Sequence, residues 1–383
     1  RIALSGERGR PRGRCVTWPI EPASHCPWRS GEVAQNESRH REPMMRNAEP
    51  VAAINGYHTC GSNDTLASAH PSDSRKGHDM TTSSVSPVTT ELAGSETGIT
   101  LVIHAGAGSR GKHSTPERIA QVELDLQRAL DAGYQLLESG APAHEAVVAP
   151  STSWKTLPIH AGRGAALTSD GIAQMDACLM TGDGEVGAVT AKHREEPDRC
   201  GACVKEQTKH VLFADPTDAI ADWGVATESN EYFITEQRRQ SLAEAQSGGD
   251  EWEKHGTIGA WRAIEGNIAA GTSTGGITNQ MPVVWVIRRC LVAARSPQST
   301  VAVSCTGIGE AFIKVVAAHQ VSDRVRFSGE NVEDAATATL DEVAGISDGG
   351  MIVLPAVGRG VVAYNSEMMN FGYRSAQGGK VQG

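Results

Sequence analysis

The amino-acid sequence predicts a layered α+β fold, because of the order in which strand-like and helix-like segments follow one another. Strand-like segments come in hairpin-like pairs joined by glycine turns, whereas helix-like segments form separate runs, which favours α+β over a doubly wound α/β sheet. The chain has 383 residues, of which 39% are apolar and 42 are glycine, enough for two or three domains or one large domain with an appendage. Aromatic residues make up only 4%, so small side chains must fill much of the core.

The first 98 residues are predicted to be a disordered tail. They are rich in Arg, Pro, Ser, Thr and Gly, and they show no sustained helical or strand periodicity. The chain begins with Arg1, and Met80 opens a Ser/Thr-rich stretch shortly before the first strand-like segment. We therefore expect Met80 to be the native start and order to begin at residue 99.

The first ordered elements are predicted to be one strand and two helices. Ile99–Ile103 is a short apolar run closed by a glycine-rich segment, which is typical of a buried strand. Thr115 followed by Pro116 predicts a helix start, and apolar residues recur on one face of that helix until Gly140. A second helix is predicted over 143–150, ending at a proline.

Further strands and helices are predicted from periodicity and turn signals. Residues 164–192 have a strand-like pattern that is interrupted by two Asp-Gly turns. The predicted helices are 231–247, 309–320 and 332–344. The predicted strands are a hairpin of 257–264 and 267–273, a single strand at 300–305, and a final pair of 350–354 and 360–364.

The charge and the cysteines exclude several classes of protein. The net charge is -10, from 35 basic and 45 acidic side chains, and nucleic-acid binding needs a basic face, so no nucleic-acid partner is expected. No window approaches the roughly 18 apolar residues of a membrane span, and the first 30 residues have no continuous apolar stretch that could serve as a signal peptide. Neither a membrane partner nor export is therefore expected, and a cytoplasmic location is predicted. The eight cysteines are scattered, and Cys200 and Cys203 predict two ordinary thiols, since a zinc site needs a second pair.

Phosphate binding is the first candidate chemistry. Gly106–Lys112 follows a strand and satisfies GxxxxGK, in which backbone amides would hold phosphates and Lys112 would reach the terminal one. His113 stands where a magnesium-binding Ser or Thr is needed, and the predicted helix begins too late for the loop to lie at its N-terminus. A glycine-rich turn is the favoured interpretation, and a nucleotide-binding protein is kept as an alternative.

A serine nucleophile is the second candidate. Gly271–Gly275 and Gly345–Gly349 both satisfy GxSxG, which requires a strand, a sharp turn and then a helix. The first is followed by no helical pattern, and the second lies between a predicted helix and a predicted strand. Both are therefore predicted to be turns.

A third candidate comes from motifs that follow one another in a fixed order. They are HGTIGA at 255–260, GNIAA at 266–270, GTSTGGITN at 271–279 and VAVSCTGIGE at 301–310. This series resembles the plant-type L-asparaginase/isoaspartyl peptidase family of N-terminal nucleophile (Ntn) hydrolases. The segments HAGAG at 104–108, HAGRGAA at 160–166, MDAC at 175–178 and YNSE at 364–367 resemble other landmarks of that family. The resemblance covers about residues 99 to 375.

The resemblance implies a four-layer αββα sandwich that cleaves its own Gly256–Thr257 bond. The products would be an α part, 99–256, and a β part, 257–383, which assemble as a homodimer of αβ units. Cleavage frees an α-amine on Thr257, and a reference pKa of about 7.7 to 8.0 leaves that amine partly unprotonated near neutral pH. Thr257 would then supply both the nucleophilic hydroxyl and the base.

The resemblance also implies the other site residues and the reaction. Thr274 would hydrogen-bond to the nucleophile, the Thr306 hydroxyl and the Gly307 amide would stabilise the oxyanion, and Thr306, Gly307 and Gly309 would bind the substrate. One oxyanion donor is typically worth about 3 to 4 kcal/mol of barrier. The substrates implied are L-asparagine and β-aspartyl dipeptides, hydrolysed through a β-aspartyl-threonine ester, with no organic cofactor and no metal ion in the reaction.

Two segments depart from the family pattern. The family has an Arg and an Asp after Asn-Gln-Met-Pro that hold the substrate zwitterion, whereas this chain reads VVWVIRRC at Val283–Cys290. Codons compatible with this segment encode the family motif when they are read one base earlier. Codons compatible with Ser153–Ile159, read in a shifted frame, likewise encode a segment that resembles the family. That second segment precedes His160, where the family has Asn in a loop that binds a structural sodium ion.

We therefore expect compensated frame changes over 150–160 and 283–298. In the present frame the Arg and Asp of the family are missing, and the sodium ion is not expected. An inactive or unprocessed family member is accordingly the alternative to an active amidohydrolase.

Overall fold

The chain is a mixed α and β protein, and the strands of its described residues form two sheets. The computed structural model describes residues 86–95, 98–108, 115–154, 162–191, 197–215, 222–225, 227–248, 260–262, 268–282, 290–292 and 301–383. The strands of these residues are β1 (Val88–Glu91), β2 (Thr100–Gly108), β3 (Met175–Thr181), β4 (Val186–Ala191), β5 (Leu212–Ala214), β6 (Ala260–Arg262), β7 (Ile268–Thr274), β8 (Cys290–Val292), β9 (Val301–Gly307), β10 (Gly349–Pro355), β11 (Val361–Tyr364), β12 (Met368–Ser375) and β13 (Gly378–Gln382).

The helices of the described residues lie between these strands in the chain. They are α1 (Pro116–Glu138), α2 (Ala143–Trp154), α3 (Pro197–Gln207), α4 (Asn230–Phe233), α5 (Glu236–Gln246), α6 (Gly309–Lys314), α7 (Ala317–Asp323) and α8 (Val332–Ala344), and a π-helical turn covers Arg324–Ser328. Capping explains several helix starts. The side chains of Thr115, Thr235 and Asn331 each accept a hydrogen bond from the backbone N–H three residues later.

The two sheets differ in size and have mostly antiparallel pairing. Among the described residues, the large sheet has the strand order β13-β12-β2-β6-β7-β3-β4-β5, and the small sheet has the order β1-β11-β10-β9-β8. Every neighbouring pair is antiparallel except β4 and β5. Since β6 is antiparallel to both β2 and β7, those two strands run in the same direction.

Three buried clusters show how the elements pack. One joins α1 and α2 to the large sheet, another joins α6, α7 and α8 to the small sheet, and a third contains residues of both sheets. On β2, Leu101 and Ile103 belong to the cluster with the helices, whereas Val102 belongs to the cluster between the sheets. This alternation follows from the two-residue period of a strand.

Most of the predicted elements are confirmed. Helix α1 begins after Thr115 with Pro116 as its first residue, and Gly140, just beyond its end, has a φ of 87°. The hairpin, helix 332–344 and the strand pair 350–354 and 360–364 are present as β6–β7, α8 and β10–β11. These segments carry strong local signals, namely a cap, a glycine turn or an amphipathic period.

The predicted boundary of the tail at residue 98 is wrong. Residues 88–91 form β1, which pairs with β11, and Leu92 is buried. The four residues of β1 are too few to show a period, and their hydrogen-bond partners lie about 270 residues away in the chain. The proposed start at Met80 lies outside the described residues.

Three other boundaries differ from the prediction. Helix α2 continues through Pro150 to Trp154, because a proline removes one helical hydrogen bond without necessarily ending the helix. The predicted helix 309–320 is two helices, separated at Val316, whose φ is 51°. The pair β10–β11 is not the last, since β12 and β13 follow.

Candidate active site

The glycine-rich segment proposed for phosphate binding is partly a strand. Gly106–Gly108 belongs to β2, where Ala107 pairs with Met369 of β12, and the rest of the motif up to Lys112 lies outside the described residues. A phosphate loop needs several consecutive backbone amides pointing at the ligand. Strand pairing of the first three residues is a different conformation, so the nucleotide-binding alternative is dropped.

The first GxSxG segment also differs from its prediction. Its first four residues form the end of β7 and not a turn, so only Gly275 follows the strand. The second segment, Gly345–Gly349, connects α8 to β10, as predicted. Neither leads from a strand into a helix, and a serine nucleophile of this type is therefore not supported.

The motifs of the third candidate meet where the two sheets face each other. The Oγ1 atom of Thr272, on β7 of the large sheet, lies 2.9 Å from the Oγ atom of Ser304, on β9 of the small sheet. Both side chains are buried. Because side chains two residues apart on a strand point to the same face, Thr274 and Thr306 lie on the facing sides of the same two strands.

The surroundings of Gly350 show that β7 and β9 run in the same direction past the contact between Thr272 and Ser304. Gly350 pairs with Thr306, and a β-carbon on Gly350 would fall 2.6 Å from the Sδ atom of Met369. Met369 pairs with Ala107, which lies beyond His104 on β2. Since β2 and β7 run in the same direction, Thr306 and Thr274 lie on the same side of the contact between the sheets.

Thr306 and Gly307, the predicted oxyanion donors, lie at the end of β9. The Thr306 side chain is fully buried, and its Oγ1 has no hydrogen-bond partner in the described part of the chain. A buried hydroxyl without a partner costs about 1 to 3 kcal/mol. Gly307 has a φ of 115°, and a β-carbon there would lie 2.6 Å from the Cα of Gly349, so only glycine fits. Gly309, also buried, begins α6 two residues later.

Thr274 is held by the turn that follows it. Its Oγ1 accepts a hydrogen bond of 3.1 Å from the N–H of Gly276, whose φ is 82°. A β-carbon on Gly275 would lie 2.8 Å from the Cβ of Ala165, so the turn packs directly on the segment 162–168. That segment is fixed in turn by Arg238, whose Nε donates to the carbonyl oxygen of Gly164 at 2.7 Å.

A buried histidine joins this arrangement from a third strand. The Nε2 of His104 lies 3.0 Å from the same Ser304 Oγ that contacts Thr272. His104, Ser304 and Thr272 thus connect β2, β9 and β7. Sequence reasoning recognised HAGAG as a landmark but assigned no role to His104, and Ser304 and Thr272 were not singled out at all.

The predicted nucleophile lies outside the described residues. Gly256 and Thr257, and most of 150–160 and 283–298, belong to the part of the chain that the structure does not describe. Thr274, Thr306, Gly307 and Gly309 are described: Thr274 lies on β7, Thr306 and Gly307 lie on β9 of the facing sheet, and Gly309 begins α6. Within the two altered segments, the structure describes only the end of α2 and the short strand β8, which pairs with β9.

Metal and disulfide chemistry find no support in the described residues. Within them, no group of three or more His, Cys, Asp or Glu side chains could hold a metal ion. Cys200 and Cys203 are buried on α3 and form no disulfide in the region described.

No described helix has both the length and the apolar character needed to cross a membrane.

Comparison with known proteins identifies the family. Residues 97–382 match the family model described as asparaginase, which is about three quarters of the chain. The chain belongs to the asparaginase family. This family member is 32% identical over 292 residues to an isoaspartyl peptidase of Salmonella typhimurium, covering 70% of this chain and 93% of the relative. The isoaspartyl peptidase/L-asparaginases of Bos taurus and Homo sapiens are also 32% identical, over 297 and 305 residues, and each match covers 73% of this chain and 94% of the relative.

Proposed function

We propose that this asparaginase-family chain is an autoprocessing amidohydrolase that acts on L-asparagine and on β-aspartyl dipeptides. Thr257 is the nucleophile, freed by cleavage of the Gly256–Thr257 bond within a four-layer αββα sandwich. The observation that carries the proposal is the buried Thr306 hydroxyl, which has no partner among the described residues. It lies next to Gly307, on the strand that faces β7 and on the same side as Thr274. A hydroxyl kept buried without a partner is a donor that is available for a substrate oxygen.

The position of β6 in the sheet supports Thr257 as the nucleophile. Ala260, the first residue of β6, pairs with Ala270 on β7 and with Val102 on β2. Because β6 is antiparallel to β7, the chain before Ala260 comes from the end of the sheet at which Thr274 lies. Thr257 precedes Ala260 by three residues, and three extended residues span at most about 11 Å. This direction and this length of chain support a nucleophile at the end of the sheet where Thr274 lies.

The proposed reaction has two steps, which use these groups in turn. In the first, the free amine of Thr257 takes the proton of its own hydroxyl, and the Oγ attacks the side-chain amide carbon of asparagine. Thr306 and Gly307 donate hydrogen bonds to the carbonyl oxygen as it becomes an oxyanion. The intermediate collapses when the C–N bond breaks, and the leaving nitrogen takes the proton and departs as ammonia.

In the second step, water attacks the β-aspartyl-threonine ester that the first step leaves. The amine of Thr257 takes a proton from the water, and the ester C–O bond breaks, which releases aspartate and restores the Thr257 hydroxyl. With a β-aspartyl dipeptide, the leaving nitrogen is the α-amine of the second residue. The same oxyanion donors serve both steps, since each passes through a tetrahedral intermediate on the same carbon.

An inactive or unprocessed family member is the second candidate. The observation that favours it is the sequence VVWVIRRC at Val283–Cys290, which lacks the Arg and Asp that the family uses to hold the substrate. Each missing charged hydrogen bond costs roughly 1.5 to 3 kcal/mol. Residues 155–161, which would belong to the sodium-binding loop of the family, lie outside the described residues. No role is therefore given to a sodium ion.

Mass spectrometry of the purified full chain tests the proposal. The expected result is two fragments with a new amino terminus at Thr257, together with release of ammonia from asparagine. Thr257→Ala should stay a single chain and release none, whereas Thr257→Ser keeps a hydroxyl and an amine and should still cleave. A wild-type chain that stays intact would favour the unprocessed alternative. A chain that cleaves at Thr257 but hydrolyses neither substrate would contradict the proposed activity.

Size measurement tests the assembly that accompanies this proposal. We propose a homodimer of αβ units, and analytical ultracentrifugation of the cleaved protein should give twice the mass of one chain. A mass equal to one chain would contradict the dimer without affecting the proposed chemistry.

A further inference from the structure

Asn365 occupies a buried position directly after β11 and holds the start of β10. The side-chain Oδ1 of Asn365 accepts a hydrogen bond from the backbone N–H of Gly349 at 2.8 Å. The backbone N–H of Asn365 donates to the carbonyl oxygen of Gly349 at 2.9 Å. The Nδ2 lies 3.4 Å from the carbonyl oxygen of Leu340 on α8. One side chain thus joins the last turns of α8 to the first residue of β10.

Gly349 is in turn packed against Gly307, backbone to backbone. The two residues are paired in the register of β9 and β10, and a β-carbon on Gly307 would lie 2.6 Å from the Cα of Gly349 and 2.8 Å from the carbonyl oxygen of Asp348. A β-carbon on Gly349 would lie 2.5 Å from the carbonyl oxygen of Thr306. The lack of room for a β-carbon at either residue shows that the two backbones pack closely, and their pairing couples the position of Gly307 to that of Gly349.

We infer that Asn365 is a positioning residue for the oxyanion site of Thr306 and Gly307. It acts through Gly349, and it has no role in the proposed reaction other than to fix where the Gly307 amide lies. This inference depends on the proposed function, which gives Gly307 its role. An oxyanion donor loses most of its effect when it is displaced by a fraction of an ångström, because the hydrogen bond must match the transition state and not the substrate.

Steady-state kinetics of Asn365→Ala test the inference. For each self-cleaved chain, we expect kcat to fall by about 10-fold to 100-fold and KM to change by less than about 2-fold, since an oxyanion donor contributes more to the transition state than to the bound substrate. Asn331→Ala is the matched control, because Asn331 caps the N-terminus of α8, the helix that Asn365 also contacts, but does not touch β10. The control should lower thermal stability and leave kcat unchanged.

Asn365→Asp provides a second variant in case the alanine variant does not fold. The carboxylate keeps an oxygen that can accept from Gly349, so we expect kcat within about 3-fold of wild type in the folded protein. Unchanged kcat in folded Asn365→Ala would overturn the inference. So would a loss of 10-fold or more in folded Asn365→Asp, because the acceptor for Gly349 is still present in that variant.

Hydrogen exchange separates failure of this inference from failure of the proposed function. Peptides that contain Gly307 and Gly349 should exchange faster in Asn365→Ala than in wild type, and they should not do so in Asn331→Ala. This measurement needs no turnover. If wild type proves inactive, the proposed function fails, and faster exchange at these two glycines still supports the positioning by Asn365, whereas unchanged exchange overturns it.

Discussion

The Nε2 of His104 lies 3.0 Å from the Oγ of Ser304, although the two residues are 200 positions apart in the chain. This contact joins the large sheet to the small sheet at a fully buried position. Ser304 also contacts Thr272 at 2.9 Å, so a single hydroxyl connects the two strands that flank β6 to the strand that carries Thr306. Together with the apolar cluster between the sheets, this hydroxyl contributes to their relative position and therefore to the geometry of the proposed site.

Removal of the Ser304 hydroxyl should destabilise the protein. Ser304→Ala leaves His104 and Thr272 each without one buried hydrogen bond, and we expect a loss of about 1 to 3 kcal/mol in the free energy of unfolding. Urea denaturation in a Thr257→Ala background would measure it without interference from self-cleavage. The control is Ser169→Ala, which removes an exposed hydroxyl and should change stability by less than about 0.5 kcal/mol. Equal effects of the two changes would contradict the structural role of Ser304.

Replacement of Thr306 by valine should separate stability from activity. Thr306→Val is nearly isosteric and removes a buried hydroxyl that has no partner in the described structure, so stability should stay the same or rise by about 1 kcal/mol. If that hydroxyl stabilises the oxyanion, kcat should fall by about 100-fold to 1000-fold. Ammonia release and thermal unfolding are the two measurements.

Thr100 provides the matched control for this experiment. It is also fully buried, and its Oγ1 likewise lacks a hydrogen-bond partner among the described residues, but it lies at the start of β2, far along the strand from His104. Thr100→Val should have a similar effect on stability and no effect on kcat. A comparable loss of kcat in both variants would mean that Thr306 has no special role.

Two glycines with positive φ should respond differently to alanine. Gly329 has a φ of 70° and no atom within 4 Å of a built β-carbon, so Gly329→Ala should cost only the backbone strain of about 1 to 2 kcal/mol. Gly307→Ala adds a collision with Gly349 to the same strain and should cost at least about 3 kcal/mol, with loss of turnover. Equal unfolding midpoints of the two variants in urea would show that the contact between β9 and β10 can relax.

Adjacent arginines on α5 should also differ in importance. Arg238 is almost completely buried and its Nε donates to the carbonyl oxygen of Gly164, whereas the neighbouring Arg239 is half exposed and pairs with Glu231 at the surface. Arg238→Met should lower stability by at least about 2 kcal/mol, because it removes a charge-assisted hydrogen bond in the interior. Arg239→Met should change stability by less than about 1 kcal/mol.

Activity provides a second measurement for the same pair. The segment that Arg238 fixes packs against the turn after Thr274, so kcat should fall in Arg238→Met and stay the same in Arg239→Met. A stable Arg238→Met variant with full activity would contradict the proposed link between α5 and the site.

Several features of this protein were determined by the sequence alone. The cap at Thr115, the sequence signal at Glu265–Gly266 and the period of 332–344 each act over a few residues. They predicted α1, the pairing of β6 with β7, and α8. The order of the motifs was likewise sufficient to identify the family, because a family pattern is a property of the sequence itself.

Other features were decided only by the tertiary structure. The pairing of β1 with β11, the contact of His104 with Ser304, and the hydrogen bond of Asn365 to Gly349 join residues that are between 16 and 276 positions apart. Such contacts depend on strand register and on how one sheet lies on the other, and no local propensity encodes either. The absence of a hydrogen-bond partner for the Thr306 hydroxyl within the described part of the chain is another such feature. Whether a buried hydroxyl has a partner depends on all the groups packed around it, and the local sequence does not give that arrangement.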